Sequence, residues 1–338
     1  MSQQQPLDQR YPGLPVHTKR RNWFGRLIGL IVLLFILMLI CVPLYAWSRI
    51  DKVDAFPAGK RPAETSGTTY LMVGSDSREG LSTAEKKKLG TGSTGGQRTD
   101  SIMLMHVPES GPTVLISVPR DSYLPIPGHG KDKINAAFSF KDGGPKLLIQ
   151  ALENYSGLRI DHYVEVGFGG FASIIDSVGG VQMCLPKAMK DPLAHINLLK
   201  GCQQLDGTKA LGYVRSRHVD ASGDLARVER QREMIGAVAK KAVTWKTVIN
   251  PVRYYNVATS GADALTVDKQ MGPFDLFKFA RGMKAVSSGG NGITLTLPVA
   301  KANYRTPGGA SAVLLDDVKC RALFKALKED KTTGLKAA

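Results

Sequence analysis

The chain has 338 residues, 45 Lys and Arg against 29 Asp and Glu for a formal net charge of +16, and 43% hydrophobic residues. That length holds one large α/β domain, or two small ones, plus accessory segments. The positive balance narrows the partners to nucleic acid, an anionic membrane face or a polyanionic glycan, and no spacing among the four cysteines suits zinc.

Residues 1–26 are rich in Gln, Pro and Arg and read as a disordered tail. Arg10, Lys19, Arg20, Arg21 and Arg26 against Asp8 put +4 there, and an uncharged run at 27–47 leaves +12 for the remainder. That run, LIGLIVLLFILMLICVPLYAW, is almost wholly apolar. At ~1.5 Å per residue it spans ~30 Å, the thickness of a bilayer core. It is longer than a signal-peptide core, and Ala46-Trp47-Ser48 is a poor cleavage site, so a retained transmembrane helix is expected. Basic residues precede it and near-neutral ones follow, so the positive-inside rule puts the N-terminus in the cytoplasm and everything beyond Ser48 outside. Intracellular nucleic acid then drops out as a partner. The outside setting permits a Cys184–Cys202 disulfide, which would close a loop of about 18 residues and contribute ~3 kcal/mol; four free thiols are the alternative. Cys41 falls in the anchor, and Cys320 reads as a small buried hydrophobe of the last helix.

Residues 48–66 read as a linker, and the pattern turns globular from Thr68. A short buried strand is predicted at 70–74, followed by a Gly-rich polar loop at 79–97. The apolar runs 102–107 and 113–118, joined by Pro-Glu-Ser-Gly-Pro, predict a hairpin. A helix is predicted at 145–155, with Pro145 in its first turn and Gly157 just past its end. Next come a strand at 163–166, a helix at 168–178 stopped by Gly179-Gly180, and a strand at 181–185. Asp206 is placed to cap a helix containing Ala210, Leu211 and Val214, and 225–243 reads as a long helix with an apolar stripe through Val228, Ile235, Val238 and Ala242. Helices are expected to fill 244–285, then strands at 293–297 and 312–315 and a final helix at 317–328. The alternation predicts an α/β class with helices on both sides of a sheet.

Short polar motifs stand at the ends of these runs: Asp76-Ser77-Arg78, Arg98-Thr99-Asp100, Pro119-Arg120-Asp121, Arg215-Ser216-Arg217 and DLARVERQ at 224–231. Gathered guanidinium groups need a dianionic partner, and their planar fork matches phosphate oxygens bidentately. Interleaved carboxylates make sense if a hard divalent cation binds there too, so the motifs point to a diphosphate–metal site. The predicted hairpin brings Arg98 with Asp100 and Arg120 with Asp121 to one sheet edge; the alternative is two surface salt bridges. Asp224, Arg227 and Gln231, at i, i+3 and i+7, share one helix face, although Asp224 also suits an N-cap. Arg230 lies off that face and is either part of the site or a solvated charge. Arg215 and Arg217 point to one side if the chain is extended there, a solvated pair being the alternative. Asp76 follows a strand end, a usual place for a metal ligand, while Lys133 is a further phosphate donor or surface charge. Phe168, Phe171, Ile174 and Ile175 make an apolar helix face, either ordinary core or the lining of a lipid pocket. The six histidines show no HExxH spacing, and neither a Gly-x-Ser-x-Gly elbow nor a phosphate-binding P-loop is present.

Together these motifs closely resemble the LytR–CpsA–Psr family of cell-wall phosphotransferases. The matching stretches are GSDSR (74–78), RTDSIMLMHV (98–107), LISVPRDSYLPIP (115–127), KINAAF (133–138), VGFGGFASIIDSVGGV (166–181), LDGTKALGYVRSRH (205–218) and GDLARVERQ (223–231). The resemblance implies a three-layer α/β/α domain with a central mixed sheet, here at 67–330 after the anchor and before a tail at 331–338. It implies transfer of a glycan phosphate from a polyprenyl diphosphate carrier to a peptidoglycan hydroxyl, with magnesium as cofactor, the lipid tail in an apolar tunnel, and polyprenyl phosphate released. Carried over residue by residue, Asp76 and Asp100 match the metal-binding acids, and Arg98, Arg120, Arg215, Arg217, Arg227 and Gln231 match the diphosphate-binding groups. Arg78 and Lys133 are further candidates for diphosphate binding, and Asp224 and Asp121 for accepting the proton of the attacking hydroxyl. The Gly-rich insert between Asp76 and Arg98 departs from the family pattern and bears on the Asp76–Asp100 geometry. The Cys184/Cys202 pair resembles members from bacteria with arabinogalactan-type walls, which favours arabinogalactan as the glycan. Hydrolysis of the same lipids and membrane-bound transcriptional attenuation are the alternative functions.

Overall fold

The computed structural model describes residues 23–76, 82–89, 99–216, 224–242, 244–287 and 291–336, and for residues 85, 88, 100, 224–229, 239, 242 and 246 it describes the backbone alone. Two compact units divide the chain, Met1–Cys41 and Val42–Ala338. The described part of the first is an apolar helix, α1 (Trp23–Arg49), whose last two turns belong to the second. This helix brackets the expected span and is long and apolar enough to cross a membrane.

Among the described residues, the second unit is organised by a seven-stranded sheet. Its order is β1 (Asp51–Val53), β12 (Leu265–Asp268), β7 (His162–Val166), β2 (Thr68–Ser75), β3 (Thr99–Val107), β4 (Thr113–Val118), β13 (Gly292–Thr296). The sheet is mixed: β1–β12, β7–β2 and β4–β13 pair in parallel, while β12–β7, β2–β3 and β3–β4 are antiparallel. All six residues of β4 are buried, as its unbroken TVLISV run demands of a central strand covered on both faces. Gly111 turns the predicted β3–β4 hairpin with φ +108°, a conformation that other residues rarely adopt.

Alternate residues of each strand face opposite helical layers. The register neighbours Leu71, Leu104 and Ile116 face α3 (Ala136–Ser139), α4 (Pro145–Ser156) and α11 (Asp317–Lys328). Tyr70, Met105 and Leu115 face the other layer. That layer contains α5 (Phe168–Ser177), α6 (Gly207–Arg215), α7 (Asp224–Ala242), α9 (Pro251–Ala264), α10 (Pro273–Ser287) and the end of α1, with α8 (Trp245–Ile249) leading into α9. Four smaller antiparallel pairs complete the unit: β5 (Tyr123–Ile126) with β6 (Gly130–Lys133), β8 (Val181–Leu185) with β11 (Gly201–Leu205), β9 (Met189–Asp191) with β10 (Ile196–Leu198), and β14 (Val299–Arg305) with β15 (Ser311–Leu315). Cys184 and Cys202 stand opposite each other in the β8–β11 register and are bridged.

Helix ends follow local chemistry. Pro145 opens α4 and Gly157, at φ 61°, closes it by donating its N–H to the Glu153 carbonyl. Asp206 caps α6 by accepting from the Lys209 N–H at 2.8 Å, and Asp316 caps α11 likewise through Lys319. A buried polar chain ties the β2–β3 pair to the C-terminal region: Thr69 Oγ1 lies 3.0 Å from His106 Nδ1, and His106 Nε2 lies 3.1 Å from Asp330. Burial holds the His106 pKa below its usual value, against the opposing pull of Asp330.

The structure corrects several expectations. The expected linker at 48–66 is largely built into the domain: β1 forms a sheet edge, Ala55 and Phe56 enter the core, and Arg61 makes a part-buried salt bridge with Glu153. DKV is too short and too charged to read as a strand, and only pairing with β12 makes it one. β12 itself lies inside the stretch expected to be all helix, because a four-residue alternation, Leu-Thr-Val-Asp, is too short to stand out between α9 and α10. The described part of the expected 79–97 loop contains α2 (Thr83–Lys88). In the expected tail, Thr332 is fully buried and Leu335 packs on the core.

Candidate functional site

The site residues emerge at one end of the sheet. Val73, Ile102 and Val118 are register neighbours across β2, β3 and β4. Asp76 therefore follows β2, and Arg120 follows β4, at the end where β3 begins with Thr99 and Asp100. Pairing slips here: Gly74 opposes Ser101 but Ser75 opposes Thr99, so Asp100 is the extra residue of a β-bulge. Bulges re-aim side chains next to active sites, and this one sits one residue from the end of β2. Beyond the bulge Ser75 and Thr99, on either side of the Gly-rich insert, still pair directly.

Beyond β4, three predicted residues meet. Asp121 pairs with Arg120 at 3.5 Å on one oxygen and with Lys133 at 3.2 Å on the other. The β5–β6 pair brings Lys133 back to this turn, where Ile134 donates to the Ser122 carbonyl at 2.8 Å and Asn135 to the Arg120 carbonyl at 3.1 Å. The Ser122 hydroxyl also donates to the Pro119 carbonyl at 2.6 Å, so the turn carrying Arg120 is held by its own backbone.

Between the sheet and the layer of α5, α7 and α10 lies a cavity of ≈ 320 Å³. Met72 and Met103 form its floor, with Phe168, Phe171, Ile174 and Ile175 of α5, Ile235 and Val238 of α7, and Phe279 and Met283 of α10 as walls. The four α5 residues line this cavity, and Phe168 and Ile175 also serve the core. Polar lining comes from Ser75, Ser101, Arg215 and Gln231, with Ser75 and Ser101 at the sheet end just described. The Arg215 guanidinium lies 4.8 Å from the centre of the Phe168 ring, two residues past the end of β7, which places it at that same end. A cation over an aromatic face gains ~0.5–2 kcal/mol, enough to orient a long side chain.

Arg230 corrects the reading of it as a solvated charge. It is buried, and its Nη2 donates to the Ser216 carbonyl at 2.6 Å. Ser216 in turn donates to Asp191 at 2.8 Å, so Arg230 and Asp191 fix the end of α6 that presents Arg215. The α7 helical period put Arg230 off the Asp224/Arg227/Gln231 face, and nothing local signalled that a second element would cover it. Gln231 is buried at the cavity and donates to the Val214 carbonyl at 3.5 Å.

Arg78, Arg98 and Arg217 lie outside the described residues, as do the side chains of Asp100, Asp224 and Arg227, whose backbones stand at the start of β3 and in the first turn of α7. Among the described residues no three His, Cys, Asp or Glu gather closely enough to hold a metal. The donor chemistry nevertheless fits a hard cation. Asp76 follows β2, Asp100 occupies the bulge, and among the described residues the buried hydroxyls of Ser75 and Thr99 find no hydrogen-bond partner. Oxygen donors of this kind, one or two carboxylates completed by phosphate and water, suit magnesium.

The chain matches the LytR_cpsA_psr family over residues 46–329. It is 42% identical over 312 residues to the probable cell wall biosynthesis protein LcpB of Corynebacterium glutamicum, covering 92% of this chain and 72% of that protein. It is 32% identical over 253 residues to the polyisoprenyl-teichoic acid–peptidoglycan teichoic acid transferase TagU of Oceanobacillus iheyensis, covering 69% of this chain and 73% of that protein. Among solved structures it resembles a LytR-Csp2A-Psr enzyme from Actinomyces oris, with a TM-score of 0.63, 25% identity, and coverage of 83% of this chain and 96% of that one. With the mixed sheet between two helical layers, these matches place the chain in the LytR–CpsA–Psr family.

Proposed function

We propose that this chain is a membrane-anchored phosphotransferase that moves a glycopolymer from a polyprenyl diphosphate carrier to a hydroxyl of peptidoglycan. The observation that carries this reading is the apolar cavity bordered by Arg215 and Gln231 at the sheet end where Asp76, Asp100 and Arg120 emerge. A ligand with a long apolar tail and a diphosphate head matches that division of surfaces. The names of LcpB and TagU support the same reading.

In this proposal the attacking hydroxyl oxygen bonds to the phosphorus that bears the glycan, and the bond to polyprenyl phosphate breaks. Arg98, Arg120, Arg215, Arg217, Arg227 and Gln231 hold the diphosphate and stabilise charge on the departing phosphate, with Arg78 and Lys133 at its margin. Asp76 and Asp100, with the Ser75 and Thr99 hydroxyls, would hold magnesium, whose chemistry when bound is neutralisation of the phosphoryl oxygens. Asp121 already pairs with two cations and positions them, so Asp224 is the favoured acceptor for the hydroxyl proton. The N-terminus lies in the cytoplasm, everything beyond Ser48 lies outside, and arabinogalactan is the favoured glycan on the strength of the Cys184–Cys202 bridge.

The test uses the full chain with a lipid-diphosphate glycan and peptidoglycan. Arg120→Ala and Arg227→Ala should each lose ~10²-fold or more of transfer. Undiminished transfer by both variants sinks the site assignment. Glycan phosphate released to water in place of the peptidoglycan adduct would replace transfer by hydrolysis.

A further inference from the structure

We propose that the domain makes a second membrane contact besides α1: the exposed apolar surface of α8 and the first turns of α9 seats in the bilayer interface. Trp245, Ile249, Val252 and Tyr255 are 69%, 59%, 69% and 44% exposed. Trp245 and Ile249 are four apart on α8, and Val252 and Tyr255 three apart on α9, so each pair shares a helix face.

Placement decides what covers this surface. The Tyr45 ring stacks on Tyr255 with centroids 6.2 Å apart, and Arg49 grips Asp263 with two 2.6 Å hydrogen bonds. These contacts run in the same order along both helices, so α9 lies parallel to the last turns of α1 and its N-terminus lies toward Val42. Tyr45 belongs to the final turn of the apolar run 27–47, where a spanning helix reaches the interface. Tyr255 shares that level. Val252 lies ~4.5 Å farther toward the membrane at ~1.5 Å per residue, within the depth that interfacial helices reach. Ile249 and Trp245 precede it across the Asn250 cap.

The surface is rigidly mounted. A Cβ on Gly170 would stand 2.7 Å from Ala264, so α5 and α9 are in close contact, and Arg253 donates to the Val178 carbonyl at 2.9 Å. Trp and Tyr mixed with Ile and Val is the composition of a membrane-interface belt, and the +12 carried beyond residue 47 complements anionic headgroups. The seat also has a use. Register partners run Asp51, Thr266, Glu165, Val73, Ile102, Val118 across the sheet, so α1 enters at the end that bears Asp76 and Arg120. Three strand steps of ~4.8 Å put β1 ~14 Å from β2. A seated α9 keeps the polar end of the cavity beside the bilayer that carries a tailed substrate.

The inference rests on α1 crossing the membrane and is independent of the transferase reading. It is tested with the full chain in vesicles of mixed neutral and anionic lipid, comparing it with Trp245→Phe so that the difference emission isolates Trp245. That emission should lose roughly half its intensity to lipids brominated near the headgroup and resist aqueous iodide. Full iodide quenching with no bromolipid quenching overturns the proposal, and so does resistance to both, which would mean that protein covers the surface. Emission remaining in Trp245→Phe comes from Trp23 and Trp47 and reports the anchor separately. A second variant, Ile249→Ser with Val252→Ser, changes two exposed residues and should move Trp245 from bromolipid to iodide quenching; unchanged quenching overturns the seat.

Discussion

The two helical layers on either side of the sheet are made of different materials. The layer over Leu71, Leu104 and Ile116 is filled by Leu, Ile, Val, Phe and Ala with Tyr163 and Cys320, and among the described residues it contains no methionine. Every methionine described beyond α1 (Met72, Met103, Met105, Met183, Met189, Met234, Met271 and Met283) belongs to the opposite side, which also holds the cavity. Branched and aromatic side chains pack into one arrangement, whereas the unbranched thioether fills irregular space and adapts. One side of the sheet fixes the scaffold, and the other leaves an apolar cavity, which the proposed function fills with the substrate's tail.

Matched truncations probe this contrast most strongly. Ile149→Ala, in the solid layer at 0% exposure, should cost about 3–4 kcal/mol of unfolding free energy, and Ile174→Ala in the cavity wall about 1 kcal/mol. Equal losses in denaturant titrations would show that the two layers are packed alike. Next in size is the covalent tie in the soft half. Replacing Cys184 and Cys202 together by Ser should cost about 2–3 kcal/mol, read as a lower denaturation midpoint, while leaving the solid layer's hydrogen-exchange protection in place. Filling is the complementary change. Ile174→Trp should alter stability by less than about 1 kcal/mol because it grows into empty space, yet lower transfer roughly tenfold by occupying the guest's volume. A stability loss as large as that of Ile149→Ala would mean the cavity does not accept volume.

The smallest effect is a pH dependence at the rim of the solid layer. Burial depresses the His106 pKa in the folded state, so the unfolded chain binds the proton more readily. The contribution is fully present above about pH 6.5 and is lost as pH falls toward the folded value. Melting curves from pH 7.5 to 5 should show a steeper loss for the natural chain than for His106→Gln. Parallel curves would remove His106 from the account.

What could be read in the sequence divides along the same physical lines. Segments with their own period and punctuation were legible: Pro145 and Gly157 bound α4, Asp206 caps α6, and Pro-Glu-Ser-Gly-Pro marks the hairpin that gathers Asp100 and Arg120. Segments whose structure comes from a distant partner were not. DKV at 51–53 carries no alternation and LTVD at 265–268 alternates over only four residues; the first becomes a strand against the second, and the second between the first and β7. The site shows the same split. Lys133 and Asp121 are recognisable as charges near turns, but their pairing depends on the β5–β6 return, and the burial of Arg230 depends on α6 covering it. The bulge that singles out Asp100 is a register event with no signature in residue type.

That register event also separates two design variables. Ser75 and Thr99 are paired neighbours, so whatever length of chain lies between them closes on a junction already held by strand hydrogen bonds. Closure entropy grows only logarithmically, at about 0.6 kcal/mol for each doubling. The stretch 90–97, between the buried Leu89 and Arg98, can therefore lengthen or accept a grafted peptide at little thermodynamic cost while the bulge keeps Asp100 in place. For protein engineering this makes it an insertion port: a reporter epitope could be carried within a few residues of the chemistry without redesign of the scaffold.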